Sequence, residues 1–135
     1  MYISNNRRNE KRVVIMDNKT NIKELKNIVK KFCDDRDWEQ FHNPKDLAIG
    51  LSTEANELLS LFRFKNNEEM KAMFDNPVKR EDIEDETADV FFFLLRFAQM
   101  YDIDLEDALK RKIEKNNKKY SVEKFKGSNK KYSEE

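Results

Sequence analysis

The chain has 135 residues, which suits one domain, and its 27 basic side chains equal its 27 acidic ones. The zero net charge argues against a dedicated nucleic-acid binder, and the longest apolar run, 90–95, is far shorter than the roughly 20 residues of a membrane span. With two glycines, two prolines and no strand-like alternation, the expected class is all-α. The single cysteine, Cys33, cannot form an internal disulfide and favours a cytoplasmic protein.

The chain begins with a polar, aperiodic segment, 1–19, which predicts a flexible arm without an assigned function. We expect one folded domain over 20–126, followed by a short tail over 127–135. Within the domain, Asn21 is a candidate N-cap for an amphipathic helix that should end near Asp34.

Three further helices are predicted from their caps and their apolar spacing. Asn43 and Pro44 are typical of an N-cap and a first helical residue, so the second helix should extend to about Phe64. A polar connection that could include one short helical turn, and that ends in a break at Pro77, should separate it from a third helix over 81–101. Asp104 can cap a fourth helix, which completes a predicted four-helix core.

Two glutamates interrupt the apolar face of the second helix. If each residue advances the helix by about 100° from Leu47, Glu54 lies at about −20°, in the middle of the apolar stripe, and Glu57 at about −80°, on its edge. A buried, unpaired carboxylate is costly and normally protonates, pairs or binds a cation. Two such carboxylates one turn apart therefore favour a cation.

The third helix repeats this pattern with Glu86 and Asp89. If the two helices are antiparallel and share a cleft, all four carboxylates would converge on a space suited to a hard cation such as Mg²⁺. A solvated acidic helix face stays open as the alternative, because charged residues form 40% of the chain. Zinc and di-iron sites are disfavoured, because the only histidine, His42, lies in a loop and is interpreted as a capping or surface residue.

The two acidic pairs, with RDWEQFH before them and KIEKNNKKYSVEKFKG after them, resemble the MazG-like all-α nucleoside triphosphate pyrophosphohydrolases, and most of all their dCTP pyrophosphatase type. The resemblance covers roughly residues 22–131. It implies that the four carboxylates Glu54, Glu57, Glu86 and Asp89 hold Mg²⁺ against a triphosphate. It also implies a catalytic role for Glu54 and Glu57, with a weak preference for Glu57 as general base, and the products would be a monophosphate and pyrophosphate.

The same resemblance implies a set of residues that contact the nucleotide. They are Trp38, Phe64 and Phe93 near the base, and Lys112, Asn116, Lys119 and Tyr120 near the phosphates and the sugar. Phe64 and Phe93 depart from the pattern of the dCTP type, which usually has a tryptophan and a tyrosine at these positions. Without the resemblance, Trp38 would be interpreted equally well as a packing residue, and Lys112 as a solvated surface charge.

The third helix is apolar almost all round, because Phe91, Phe92 and Leu95 lie away from its main stripe. Such a helix should be covered in a small protein, so we expect a homo-oligomer, and the resemblance implies a dimer or a tetramer. Arg96, in the same region, should then need an acidic partner, which another subunit could supply.

These observations, together with the resemblance, predict an enzyme that hydrolyses dCTP or a modified-base deoxynucleoside triphosphate. Its expected task is nucleotide pool sanitation. Three alternatives stay open. The substrate could be that of a dUTP or phosphoribosyl-ATP pyrophosphohydrolase, the chain could be a non-catalytic helical assembly module, or its basic termini could bind RNA.

Overall fold

The protein is described from a computed structural model, which describes residues 17–134. Most of the predicted arm, 1–19, and the last residue of the predicted tail lie outside the described residues. The described chain divides between Tyr101 and Asp102 into two compact units. The predicted domain, 20–126, extends over both.

The first unit contains four α-helices and the second contains two. The first has α1 (Ile22–Asp34), a 3₁₀ turn (Glu39–Phe41), α2 (Pro44–Phe62), α3 (Asn67–Asp75) and α4 (Pro77–Met100), and the second has α5 (Leu105–Lys119), α6 (Val122–Phe125) and a 3₁₀ turn (Tyr132–Glu134). No strand occurs in residues 17–134, which confirms the all-α class. None of the helices described is both long enough and apolar enough to cross a membrane.

Asparagine side chains begin the helices of the first unit. Asn21, Asn43 and Asn66 each accept a hydrogen bond from the backbone amide three residues later, at 2.9, 2.8 and 2.8 Å. Such a cap satisfies an amide that has no partner inside the helix and typically contributes about 1 kcal/mol. The caps predicted at Asn21 and Asn43 are confirmed.

The connection between α2 and α4 is more helical than predicted. It contains the nine-residue α3, and α4 begins at Pro77 instead of Glu81. Asn76 explains the earlier start, because its side chain accepts hydrogen bonds from the amides of Val78 and Lys79, both at 3.1 Å. Proline has no amide hydrogen to lose at a first helical position, so the predicted break is in fact a helix start.

The core of the first unit forms around α4, which packs against α1, α2 and α3. The buried apolar side chains are Val29, Cys33, Leu47, Met73, Ile83, Leu95 and Ala98. Part of the surface that was expected to need another subunit is therefore covered by the chain itself. Leu95 is buried, and the Phe92 ring meets the Phe32 ring of α1 edge to face at 5.6 Å between centroids. Phe91 stays 39% exposed.

Candidate metal and nucleotide site

Three of the four predicted metal ligands come together between α2 and α4. One carboxylate oxygen from each of Glu54, Glu86 and Asp89 lies within 4.8 Å of the other two. Glu54 comes from α2, whereas Glu86 and Asp89 share one face of α4 because they are three residues apart. Glu54 and Glu86 are half-buried, and Asp89 is exposed. We call these three residues the acidic group.

Burial and mutual repulsion both act on the acidic group. Partial burial raises the pKa of Glu54 above its ordinary value, and the charges of Asp89 and Glu57 raise it further. The pKa of Glu86 is raised in the same way, first by partial burial and then by the neighbouring carboxylates, of which Asp89 acts most strongly. In the described chain no lysine or arginine forms an ion pair with the acidic group. A bound cation would relieve this repulsion.

The donor set fits Mg²⁺. All three residues offer hard carboxylate oxygens, which this ion prefers. Ligands on opposite sides of a Mg²⁺ ion are about 4 Å apart, since each lies about 2.0–2.1 Å from the ion. The separations within the acidic group, all within 4.8 Å, allow that spacing.

Glu57, the fourth predicted ligand, lies outside the acidic group. It is exposed on α2, one helical turn beyond Glu54, and its charge still raises the pKa of both Glu54 and Glu86. Glu57 is therefore near the acidic group without being one of its members. Its roles as ligand and as base stay predictions.

A close contact between α2 and α4 positions the acidic group. A Cβ atom added to Gly50 would overlap the ring of Phe93. Gly50 is one turn before Glu54, and Phe93 is one turn after Asp89, so this contact sets the helix separation beside the carboxylates. Phe93 is half-buried in this contact, and its predicted part in nucleotide binding stays a prediction.

Trp38 lies in an aromatic neighbourhood at the start of the 3₁₀ turn. The residue is 38% exposed, and its ring meets the rings of Phe32 and His42 edge to face, at 5.6 and 6.4 Å between centroids. The ring is thus supported by its neighbours and still accessible. Such a ring can stack on a nucleotide base.

The surroundings of Arg96 include His42 and differ from those predicted. His42 is half-buried, and its Nδ1 accepts a hydrogen bond of 2.9 Å from Nε of the buried Arg96. His42 is the C-cap of the 3₁₀ turn, where its backbone amide donates to the carbonyl of Glu39, in agreement with its interpretation as a capping residue. Asn43 is the residue that caps α2. The polar partners of Arg96 are neutral, His42 and Gln99, in place of the expected acid.

Phe64 has an unusual position at the end of α2. It is 89% exposed, its φ of 64° lies in the left-handed region, and the guanidinium of Arg63 lies 4.6 Å from its ring centroid. A bulky residue rarely adopts this conformation, and such strained positions cluster at binding and active sites. Phe64 is therefore presented to solvent in a way that packing does not explain.

The remaining predicted nucleotide contacts lie in the second unit. Lys112 is exposed on α5, and Asn116, one turn later, is half-buried. The Nζ atom of Lys119 lies 5.6 Å from the ring centroid of Tyr120, and that ring packs edge to face on Phe125 at 5.1 Å. Within this unit the basic and aromatic side chains are therefore close together.

The comparisons with known proteins find one matching family, relatives in sequence and a similar structure. Residues 49–134 match the MazG-like family. The chain is 32% identical over 113 residues to the cattle dCTP pyrophosphatase 1, and 31% identical to the human protein of that name. Each alignment covers 84% of this chain, which spans about two thirds of the length of these relatives, 67% and 66%. A pyrophosphatase structure from Archaeoglobus fulgidus is similar with a TM-score of 0.70 and 34% identity, covering 79% of this chain and 98% of that one.

Proposed function

Because the chain belongs to the MazG-like family, we propose that it is a Mg²⁺-dependent pyrophosphohydrolase of dCTP or a modified-base deoxynucleoside triphosphate. The relatives support nucleotide pyrophosphohydrolase activity for this chain. The observation that carries the metal dependence is the acidic group, whose three carboxylates have no ion-pair partner in the described chain. We further propose that the enzyme acts in the cytoplasm as a homo-oligomer, a dimer or a tetramer.

In this proposal Glu54, Glu86 and Asp89 hold the ion, and Glu57 is either a fourth ligand or the base. Bound Mg²⁺ supplies charge neutralisation at the phosphates and a more acidic water. Glu57 suits the base role, since a carboxylate outside the acidic group keeps free oxygens for a water molecule. The water oxygen attacks the α-phosphorus, the bond to the α,β-bridging oxygen breaks, pyrophosphate leaves, and Glu57 takes the proton.

The nucleotide contacts follow the aromatic and basic side chains. The accessible Trp38 ring and the exposed Phe64 ring would bind the base by stacking. Lys112, Asn116, Lys119 and Tyr120 would bind the phosphates and the sugar. For Lys112 this is supported by its neighbours on α5, because Lys110 and Arg111 are paired with Glu106 and Asp107, while Lys112 has no ion pair in the described chain.

The test is an incubation of the purified protein with Mg²⁺ and each natural and modified nucleoside triphosphate, followed by separation of all phosphate products. We expect monophosphate and pyrophosphate, fastest from dCTP or a modified-base analogue, and no reaction in excess chelator. Glu57→Gln should lower kcat by at least about 100-fold. Glu81→Gln, an exposed glutamate of α4 outside the acidic group, is the matched control and should leave kcat unchanged.

Other outcomes would separate the alternatives. Preferred hydrolysis of dUTP or phosphoribosyl-ATP would keep the chemistry and change the substrate. Release of orthophosphate would contradict attack at the α-phosphorus. No turnover of any nucleotide would favour the non-catalytic assembly module.

A further inference from the structure

The segment after α6 returns the chain to the end of α5. Gly127 has a φ of 78°, a left-handed conformation that costs glycine little, so the chain can reverse there. The amide of Ser128 then donates to the carbonyl oxygen of Phe125 at 2.9 Å. The 3₁₀ turn that follows places the ring of Tyr132 edge to face against the ring of Tyr120, at 6.4 Å between centroids. Tyr132 therefore lies beside the end of α5.

The ammonium group of Lys119, the last residue of α5, lies close to both tyrosine rings. Its Nζ atom is 5.3 Å from the centroid of the Tyr132 ring and 5.6 Å from that of the Tyr120 ring. The face of an aromatic ring attracts a cation at distances up to about 6 Å. One residue directly after α5 and one from the end of the chain thus hold the same ammonium group.

Helix stability explains why a lysine ends α5, but it does not explain the two rings. A cation in the last turn of a helix interacts favourably with the helix dipole, and both Lys118 and Lys119 lie there. This interaction needs no aromatic neighbour. Lys119 is exposed, and it forms no ion pair with any side chain that the structure describes. Its charge is therefore available to an anion.

A lysine that is held in advance binds an anion more tightly than a free one. Lysine is among the side chains that lose most rotamer freedom when they are fixed. Where neighbouring groups already restrict the side chain, less freedom is lost on binding, and the affinity rises. The attraction between an exposed cation and a ring is modest, so the rings can restrict Lys119 without withdrawing its charge from a phosphate group.

We propose that Tyr132 is a positioning residue that holds the ammonium group of Lys119 ready to bind the phosphates of a nucleoside triphosphate. The inference rests on the proposed function, in which Lys119 is one of the phosphate contacts. Tyr132 acts through Lys119 and need not touch the nucleotide. Since Lys119 would bind the phosphates equally in the ground state and in the transition state, loss of the Tyr132 ring should raise KM and leave kcat unchanged.

The first test measures KM and kcat of two Tyr132 variants with the best triphosphate substrate. Tyr132→Leu keeps an apolar side chain but has no aromatic face, and we expect KM to rise about two- to fivefold, the effect of one exposed cation–ring contact. Tyr132→Phe keeps the face and should keep KM near that of the unaltered protein. Ser133→Ala, an exposed change in the same 3₁₀ turn, is the control. A fall in kcat at constant KM would overturn the positioning role.

A series of fluorinated phenylalanines at position 132 separates attraction from packing. Added fluorine atoms weaken the negative face of the ring while its size changes little, so KM should rise with each fluorine. In a Lys119→Met background the same series should have no effect, because the cation is gone. A constant KM along the series, or the same rise in both backgrounds, would mean that Tyr132 only packs the end of the chain.

The last test does not depend on turnover. Aromatic rings shift the proton resonances of nearby groups upfield, so the side-chain methylene protons of Lys119 should be shifted in the unaltered protein and in Tyr132→Phe, and less so in Tyr132→Leu. The absence of this shift in the unaltered protein would overturn the inference. If no nucleotide is hydrolysed, the proposed function fails, and the affinity for inorganic triphosphate decides the role of Tyr132. We expect Kd in calorimetric titration to be about two- to fivefold higher in Tyr132→Leu. Equal affinities, or no binding, would overturn the inference.

Discussion

The two halves of α4 contain side chains of opposite charge, negative in the first half and positive in the second, that lack a partner of the other sign among the described residues. The first half presents Glu86 and Asp89, which lie beside Glu54 with no basic side chain paired to them among the described residues, and the second half buries Arg96 without a carboxylate. The carboxylates are at least partly open to solvent, so an ion from solution can neutralise them. Arg96 is enclosed and bound by neutral groups. We therefore propose that the first site receives a ligand, whereas the second holds a neighbouring side chain in place.

The largest expected effect on this difference between the two sites comes from removing one carboxylate of the acidic group. Glu54→Gln should lower Mg²⁺-dependent turnover by more than about 100-fold, because changing even the partners of metal ligands costs 10–100-fold. In excess chelator the same variant should have a higher Tm than the unaltered protein, since a repelling charge is gone. Product analysis and thermal unfolding test both parts. A lower Tm in chelator would mean that Glu54 stabilises the metal-free fold.

The second half of α4 should respond to the loss of a partner in a different way. His42→Phe leaves Nε of the buried Arg96 without an acceptor, so we expect the free energy of unfolding to fall by about 2–3 kcal/mol. Arg96→Met removes the buried charge and keeps most of the volume, so we expect a change below about 1 kcal/mol. The double variant should recover most of the stability that His42→Phe loses.

Denaturant unfolding of the single and double variants measures this coupling. His42→Asn, which keeps an acceptor for Arg96, is the matched control and should cost less than His42→Phe. Additive losses in the double variant would contradict a direct bond between the two residues.

The sequence predicted the first half of α4 better than the second for a physical reason. Helical periodicity is local, so the spacing of Glu86 and Asp89, and the position of Glu54 within an apolar stripe, could be read directly. The bond between His42 and Arg96 joins residues 54 positions apart, and no periodic pattern encodes it. A buried arginine in an apolar segment was the one available signal, and it predicted a partner but of the wrong charge.

The distinction between local patterns and contacts between distant residues also explains the other differences between the predicted and the observed fold. Pro77 was interpreted as a break because the cap at Asn76 was not recognised, and the short α3 has too few apolar residues for a clear period. Gly50 gave no signal, because its role depends on the Phe93 ring from another helix. Local caps and stripes could thus be predicted, whereas contacts between elements could not.

The contact at Gly50 tests whether helix separation controls the acidic group. In Gly50→Ala the new Cβ would overlap the Phe93 ring, and we expect a loss of about 1–3 kcal/mol in the free energy of unfolding together with weaker Mg²⁺ binding. Gly50→Ala combined with Phe93→Leu should recover part of both. Ser52→Ala, an exposed change on the same helix, is the control. Unchanged Mg²⁺ binding in calorimetric titration, with reduced stability, would separate packing from metal binding.

The smallest expected effect is a difference in pH dependence between the two halves of α4. The raised pKa values of Glu54 and Glu86 mean that the folded state binds more protons than the unfolded state above about pH 4.5, so their contribution to stability is lost as the pH rises through that region. The lowered pKa of His42, set by burial and the charge of Arg96, has the opposite sign. The contribution of His42 to stability is complete above the ordinary pKa value of 6.5 and is lost as the pH falls below it.

In chelator, Glu54→Gln should therefore flatten the acid part of the profile of stability against pH, and His42→Asn should flatten the part just below pH 6.5. If His42→Asn leaves that part unchanged, the protonation of His42 is not linked to folding, and Arg96 does not hold the ring neutral.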